Sequence, residues 1–251
     1  MNLKGNTIFI TGGGSGIGKG LAVELHKLGN QVIISGRRKH ALDQTTAENP
    51  GMKSILLDIE DPASIQQAAT KLIADFPALN VLINNAGIMR IDDLTTPIDE
   101  ANLTGTINTN LFGPIRMTSA LITHLKQQPS ATIINVSSGL AFVPLAPTAV
   151  YCSTKAAIHS YSQSLRYQLK DTSVSVLELI PPYVATDLLS GASDPRAMPL
   201  NDFIAETMSL LATGADEITV ERVKPLRNAP ASGNEAGFFK QFNDAMTLSP
   251  H

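Results

Sequence analysis

The sequence predicts a doubly wound α/β fold, a single domain whose parallel sheet is covered by helices on both faces. Three observations predict it. Short runs that are apolar throughout alternate with longer amphipathic segments. A glycine-rich turn follows the first run directly. The alternation continues through six strand-like runs, with no linker and no low-complexity tract between them.

Taken in order, Thr7 to Thr11 reads as a buried strand and Ile17 to Leu28 as the helix after it. Gln31 to Ser35 and Lys53 to Leu57 are the next two strands. Asp61-Pro62 then supplies a helix cap followed by proline at the first helical position, where its missing N–H costs nothing. That helix should run to about Asp75. Val81 to Asn84, Ala131 to Val136 and Ser175 to Ile180 complete the six strands. Ala101 to Lys126 and Ala149 to Lys170 are the long helices. After Pro181 the rhythm breaks. Pro182, Ser190-Gly191-Ala192-Ser193, Pro195 and Pro199 mark an irregular excursion, placed at about 186–230, with a short helix from Asp202 to Leu211. Beside the carboxyl ends of the strands, such a segment is expected to cover a ligand.

Composition narrows the function. The chain has 251 residues, 43% hydrophobic and 16% charged, enough apolar material to bury a large core. A net charge of -3 leaves no basic footprint for nucleic acid. No apolar run approaches a membrane span, and Thr7 to Ile10 is too short for a signal-peptide core. Cys152 is the single cysteine, so no intramolecular disulfide can form. The expectation is a cytoplasmic protein that binds neither nucleic acid nor membrane.

The turn Thr11-Gly12-Gly13-Gly14-Ser15-Gly16-Ile17-Gly18 sits between a strand and a helix. Glycine allows the tight turn and the close approach of backbone to a pyrophosphate, and the helix start offers unpaired N–H groups to that anion. Gly12, Ser15, Gly16, Ile17 and Gly18 are therefore candidate cofactor contacts. The second strand ends in Ser35-Gly36-Arg37-Arg38-Lys39, where an NAD site usually carries a carboxylate for the ribose 2′-hydroxyl. Two arginines in place of an acid favour a 2′-phosphate, hence NADP over NAD. Asp58, followed by Ile59, either reaches the adenine or starts the next helix; the sequence leaves both open.

Tyr151 and Lys155 are four apart at the start of a predicted helix, which puts them on one face. A free tyrosine titrates at about 10. A neighbouring ammonium would lower that value and suit the tyrosine to proton transfer near neutrality. Ser138 lies thirteen residues upstream, Asn84-Asn85-Ala86-Gly87 ends the fourth strand, and Asn110 stands in Asn110-Leu111-Phe112-Gly113. Each is unremarkable alone. Together with the glycine turn, in this order and spacing, they resemble the classical short-chain dehydrogenase/reductase family over about residues 5–190.

The resemblance implies a Rossmann fold and an NADP(H)-dependent enzyme interconverting a carbonyl and an alcohol. Tyr151 would be general acid in reduction and general base in oxidation. Lys155 would lower its pKa and bond the nicotinamide ribose, and Ser138 would hold the substrate oxygen. Asn110 would kink its helix and hold a water linking Lys155 to solvent. Asn84 would brace the sheet, and Asn85, Ala86 and Gly87 would contact the cofactor with Asp58 and Ile59. Pro181, Val184 and Thr186 would border the nicotinamide with Ile180, Thr186 binding its carboxamide. Met89, Leu140, Phe142, Tyr183 and Leu188 suggest an apolar substrate site. The family's habit of pairing long helices across subunits implies a homodimer or homotetramer.

One departure is visible: Pro182 follows Pro181 where the family commonly has Pro-Gly. That pair, with the tail from Asn234 to Asn243, is similar to the bacterial DltE-like subgroup. Two other readings remain. A non-catalytic NADP-sensing regulator would be favoured by loss of Tyr151 or Lys155, and both are present. A nucleotide-sugar epimerase or dehydratase would carry different glycine spacing and a longer C-terminal part. Cys152 reads as a small packed residue and His159 as a packed or surface histidine. The five histidines show no metal-ligand spacing.

Overall fold

A computed structural model describes residues 1–189 and 194–247. Ser190 to Ser193, part of the expected excursion, lie outside the described residues.

The strands are β1 (Thr7–Thr11), β2 (Gln31–Gly36), β3 (Lys53–Leu56), β4 (Leu79–Asn84), β5 (Ala131–Val136), β6 (Val174–Ile180) and β7 (Glu217–Thr219). They form one parallel sheet in the order β3-β2-β1-β4-β5-β6-β7. The helices are α1 (Gly16–Lys27), α2 (Lys39–Glu48), α3 (Pro62–Asp75), α4 (Glu100–Ile107), α5 (Gly113–Lys126), α6 (Ala149–Leu169), α7 (Leu200–Leu211), α8 (Lys224–Asn228) and α9 (Glu235–Thr247).

Strand alternation builds two cores. Ile8 and Ile10 face one side, where Leu21 and Leu25 of α1 and Phe203 and Ile204 of α7 cover them. Phe9, between them, faces the other side with Leu72 of α3 and Leu121 of α5. Both faces are closed over the central strands, which carry no two-residue polar rhythm, whereas the edge strand β3 is mostly exposed. Asp61 caps α3 through its carboxylate, which accepts from the N–H groups of Ala63 and Ser64 at 2.9 and 3.2 Å.

Three sequence expectations are corrected. The sheet has a seventh strand, β7, only three residues long and too short to show a pattern. The excursion is accordingly shorter than 186–230, because the chain rejoins the sheet at Glu217. The long helix expected from Ala101 to Lys126 is interrupted by a π-turn at Asn108–Phe112, which separates α4 from α5. Asn110 stands at the centre of that π-turn.

The order reverses between β1 and β4, where a doubly wound sheet opens a crevice at its carboxyl edge. The segments bearing the candidate residues all leave the sheet there. Among the described residues, no helix is long and apolar enough to cross a membrane.

Candidate active site

The glycine turn is held by the loop after β4. Thr11 Oγ1 accepts from the N–H groups of Asn85 and Ala86, both at 3.0 Å. Asn85 Nδ2 donates to the carbonyls of Thr11 (3.0 Å) and Gly12 (3.2 Å). Gly12 has φ +70°, and a Cβ there would stand 2.9 Å from Ala86 Cα. Both conformation and space demand glycine. Ser15 precedes α1 in extended conformation and its side chain makes no capping bond, leaving the helix's first N–H groups without a capping side chain. Such a helix start suits a diphosphate. Arg38 adds charge beside it, donating through Nη2 to Ser15 Oγ at 2.9 Å.

Arg37 behaves differently. Its Nη1 pairs with Glu60 Oε1 at 2.7 Å. A carboxylate therefore does stand near the end of β2, supplied from beyond β3, and Glu60 is a residue the sequence reading missed. Asp58 accepts from the N–H of Glu60 at 3.0 Å in a local turn, and the cap of α3 belongs to Asp61 instead. Ile59 turns its side chain into the core beneath α5.

Asn84 braces the sheet: its Nδ2 donates to Thr118 Oγ1 (3.0 Å) and Asn135 Oδ1 (2.9 Å). At the π-turn, Asn110 clamps the loop after β4. Its Oδ1 accepts from Ile88 N–H at 2.9 Å, and its Nδ2 donates to Ile88 O at 2.8 Å and Thr154 Oγ1 at 3.3 Å. These bonds tie the Asn110 side chain to protein partners. A Cβ on Gly87 would lie 3.4 Å from Asn110 Oδ1 and 3.8 Å from Lys155 Nζ, so Gly87 keeps these groups close.

Ser138, Tyr151 and Lys155 are brought together and buried. Ser138 follows β5, where its Oγ accepts from Leu140 N–H at 3.1 Å and acts on the Tyr151 hydroxyl. Lys155 Nζ donates to Val136 O at 2.8 Å and lies 5.5 Å from the Tyr151 ring centre. Burial pushes the Tyr151 hydroxyl well above its ordinary range; the Ser138 bond pulls it partly back. Burial also lowers Lys155 to about 8, against the opposing pull of the Glu178 carboxylate. The ammonium is bonded to a carbonyl, and desolvation dominates both groups.

In the loop after β6, the carbonyl of Pro181 accepts from Gly139 N–H at 2.9 Å and Val184 is buried in the core. Thr186 Cγ2 comes within 3.4 Å of where a Cβ on Gly16 would be, so this loop meets the glycine turn. Pro182 leaves that approach intact.

Phe142 does not join the pocket. It packs edge-on against His159, with ring centres 4.7 Å apart, beneath the Arg227 guanidinium. Phe242 and Met246 of α9 pack instead against Leu145, Tyr151 and Cys152, with Met89 and Leu140 beside them. Cys152 is buried, with its thiol pushed up by desolvation, as a packed residue should be. His159 is packed too, its Nδ1 2.8 Å from Glu178 Oε2. Glu217 lies within reach of both, a proximity that histidine spacing could not show, but it is gripped by Arg227 at 2.7 and 3.0 Å.

Residues 6–197 match the short chain dehydrogenase family. The chain belongs to that family. It is 39% identical to the "Uncharacterized oxidoreductase DltE" of Bacillus subtilis across 97% of this chain and 98% of that one, in keeping with the DltE-like subgroup. A short chain dehydrogenase from Burkholderia cenocepacia in complex with NADP superposes with a TM-score of 0.83 and 26% identity, each chain covered in full (100%). A 3-ketoacyl-(acyl-carrier-protein) reductase from Brucella melitensis complexed with NADH gives 0.77 and 26%, covering 89% of this chain and 94% of that one. The dehydrogenase is thus an oxidoreductase with the doubly wound fold, and its structural relatives bind NADP or NAD.

Proposed function

We propose that this dehydrogenase interconverts a carbonyl and an alcohol with NADP(H), with Tyr151 giving a proton to the substrate oxygen in reduction and taking it back in oxidation. The observation that carries the reading is the buried meeting of Ser138, Tyr151 and Lys155 at the carboxyl edge of the sheet, two strands from the glycine turn.

The residues fit a dinucleotide. Gly12, Ser15, Gly16, Ile17 and Gly18 would take the diphosphate at the start of α1, Arg38 with Arg37 the 2′-phosphate, and Asp58 and Ile59 the edge of the adenine. Asn85, Ala86, Gly87, Tyr151 and Lys155 would border the nicotinamide ribose, and Pro181, Val184 and Thr186 the nicotinamide. When bound, the cofactor supplies or accepts the hydride. Everything else falls to the protein. Ser138 and Tyr151 hydrogen-bond the substrate oxygen, polarising it and fixing its distance. A tyrosine held protonated by burial is ready to donate as that oxygen gains charge. Lys155, anchored on Val136 O, stabilises the phenolate left behind. Asn110 acts here by positioning the loop at Gly87 and the helix carrying Lys155.

Phe242, Met246, Met89 and Leu140 suit a small apolar carbonyl or alcohol. We assign all 251 residues to one catalytic domain acting in the cytoplasm. Pairing of subunits through α5 and α6 draws support from exposed Phe112 at the head of α5 and Tyr167 near the end of α6. The test is a panel of aldehydes and ketones at fixed NADPH, read by loss of nicotinamide absorbance. Turnover of at least one supports the reading; NADPH binding with no turnover across the panel would point to a sensor.

A further inference from the structure

Glu178 is fully buried on β6, and the chemistry above does not use it. A carboxylate in that position needs partners or it loses its charge. It has them. Ser137 Oγ donates to Oε1 at 2.5 Å, and His159 Nδ1 meets Oε2 at 2.8 Å. Strand register places Asn135 of β5 and Glu217 of β7 on either side of it.

We propose that Glu178, clamped by Ser137 and His159, is a positioning residue of the active site: its buried carboxylate is the counter-charge that keeps Lys155 an ammonium and holds the serine segment in place. The inference rests on the oxidoreductase reading above.

Three connections support it. Tyr151, Lys155 and His159 follow at four-residue intervals along α6, so one helical face runs from the proton donor to the clamp. Val136 accepts from Lys155, Ser137 donates to Glu178 and Ser138 meets Tyr151, so three successive residues tie the lysine, the carboxylate and the tyrosine together. Finally, desolvation drives Lys155 toward neutrality, and Glu178 is the group that opposes it.

The charged groups around Glu178 come from three elements. Lys155 and His159 lie on α6, Glu217 on β7 and Arg227 on α8. Glu217 is a like charge on the neighbouring strand, which would raise the cost of ionising Glu178. Arg227 holds Glu217 in a two-bond fork and acts on Glu178 as well. Arg166, bonded to Val176 O, adds to the field at Glu217. These cations offset the paired acids and leave Glu178 free to act on Lys155.

Two readouts on the intact protein test the proposal. One is the titration midpoint of Lys155, followed by NMR of 13C-labelled lysine with Lys155→Arg for assignment. The other is the pH profile of kcat/KM for carbonyl reduction. Glu178→Gln should lower the Lys155 midpoint by about 1 pH unit and carry the alkaline limb of the profile down with it. Glu178→Asp should restore both toward wild type, which a packing role would not require. If Glu178→Gln does not fold, the pair Glu178→Gln with His159→Gln keeps hydrogen-bonding capacity at both positions and reads the same two quantities. An unmoved Lys155 midpoint overturns the counter-charge. A lowered midpoint with an unmoved limb overturns the positioning role. A lowered midpoint in a protein whose wild type turns over no carbonyl overturns the oxidoreductase reading itself, and the positioning role with it.

Discussion

Arg37 and Arg38 are neighbours in sequence, yet the structure gives them different electrostatic surroundings, and this separates their effects on the cofactor. Arg38 reaches the glycine turn through Ser15. Arg37 is paired with Glu60, so part of its charge is already answered. Replacing Arg38 with glutamine removes a guanidinium from the place a 2′-phosphate would occupy. A charge-assisted hydrogen bond contributes about 1.5–3 kcal/mol, or roughly 10- to 150-fold in affinity. NADPH should weaken by that factor while NADH changes by less than about threefold. Arg37→Gln should cost NADPH less than Arg38→Gln does. Glu60→Gln, which frees Arg37, should tighten NADPH. Fluorescence titration of both cofactors at fixed ionic strength measures all of this, because surface charge effects depend on salt. Equal losses for NADPH and NADH in Arg38→Gln would refute the phosphate-clamp argument. A larger loss from Arg37→Gln than from Arg38→Gln would refute the division of labour.

Two further outcomes follow from local geometry. Gly12→Ala places a side chain at φ +70° and 2.9 Å from Ala86 Cα; the left-handed conformation alone costs about 1–2 kcal/mol, so thermal unfolding should show a Tm lower by roughly 2–8 °C. Phe242→Ala opens space beside Tyr151, so the ratio of kcat/KM for bulky over small apolar ketones should rise about tenfold with NADPH affinity unchanged; an unchanged ratio would place α9 outside the substrate's reach.

The sheet and the site were legible in the sequence to different depths. β1 and β5 announce themselves because both faces are buried and neither run carries a charge or an alternating polar face. β7 does not, because three residues carry no period. Ser138, Tyr151 and Lys155 were legible because strand end and helix start are local features at fixed spacing. Their partners were not, because those contacts are made by distant parts of the chain. Glu60 meets Arg37 across 23 positions, Glu178 meets Ser137 across 41, and α9 reaches Tyr151 from the far end. Phe142 was misplaced for a related reason: nothing local distinguishes a phenylalanine lining a pocket from one packed behind it on His159. The tyrosine's proton affinity was read from its neighbour's charge alone, whereas burial decides it.

The central claim is that Tyr151 moves the proton. Tyr151→Phe keeps the ring packed against Leu145, Cys152 and Phe242 and removes only the hydroxyl that meets Ser138. Single-turnover reduction with prebound NADPH isolates the chemical step from binding. The rate should fall by about 10²–10⁴-fold, with NADPH affinity within about twofold of wild type, well under 1 kcal/mol. A variant that reduces the same carbonyl at more than a tenth of the wild-type rate would contradict it.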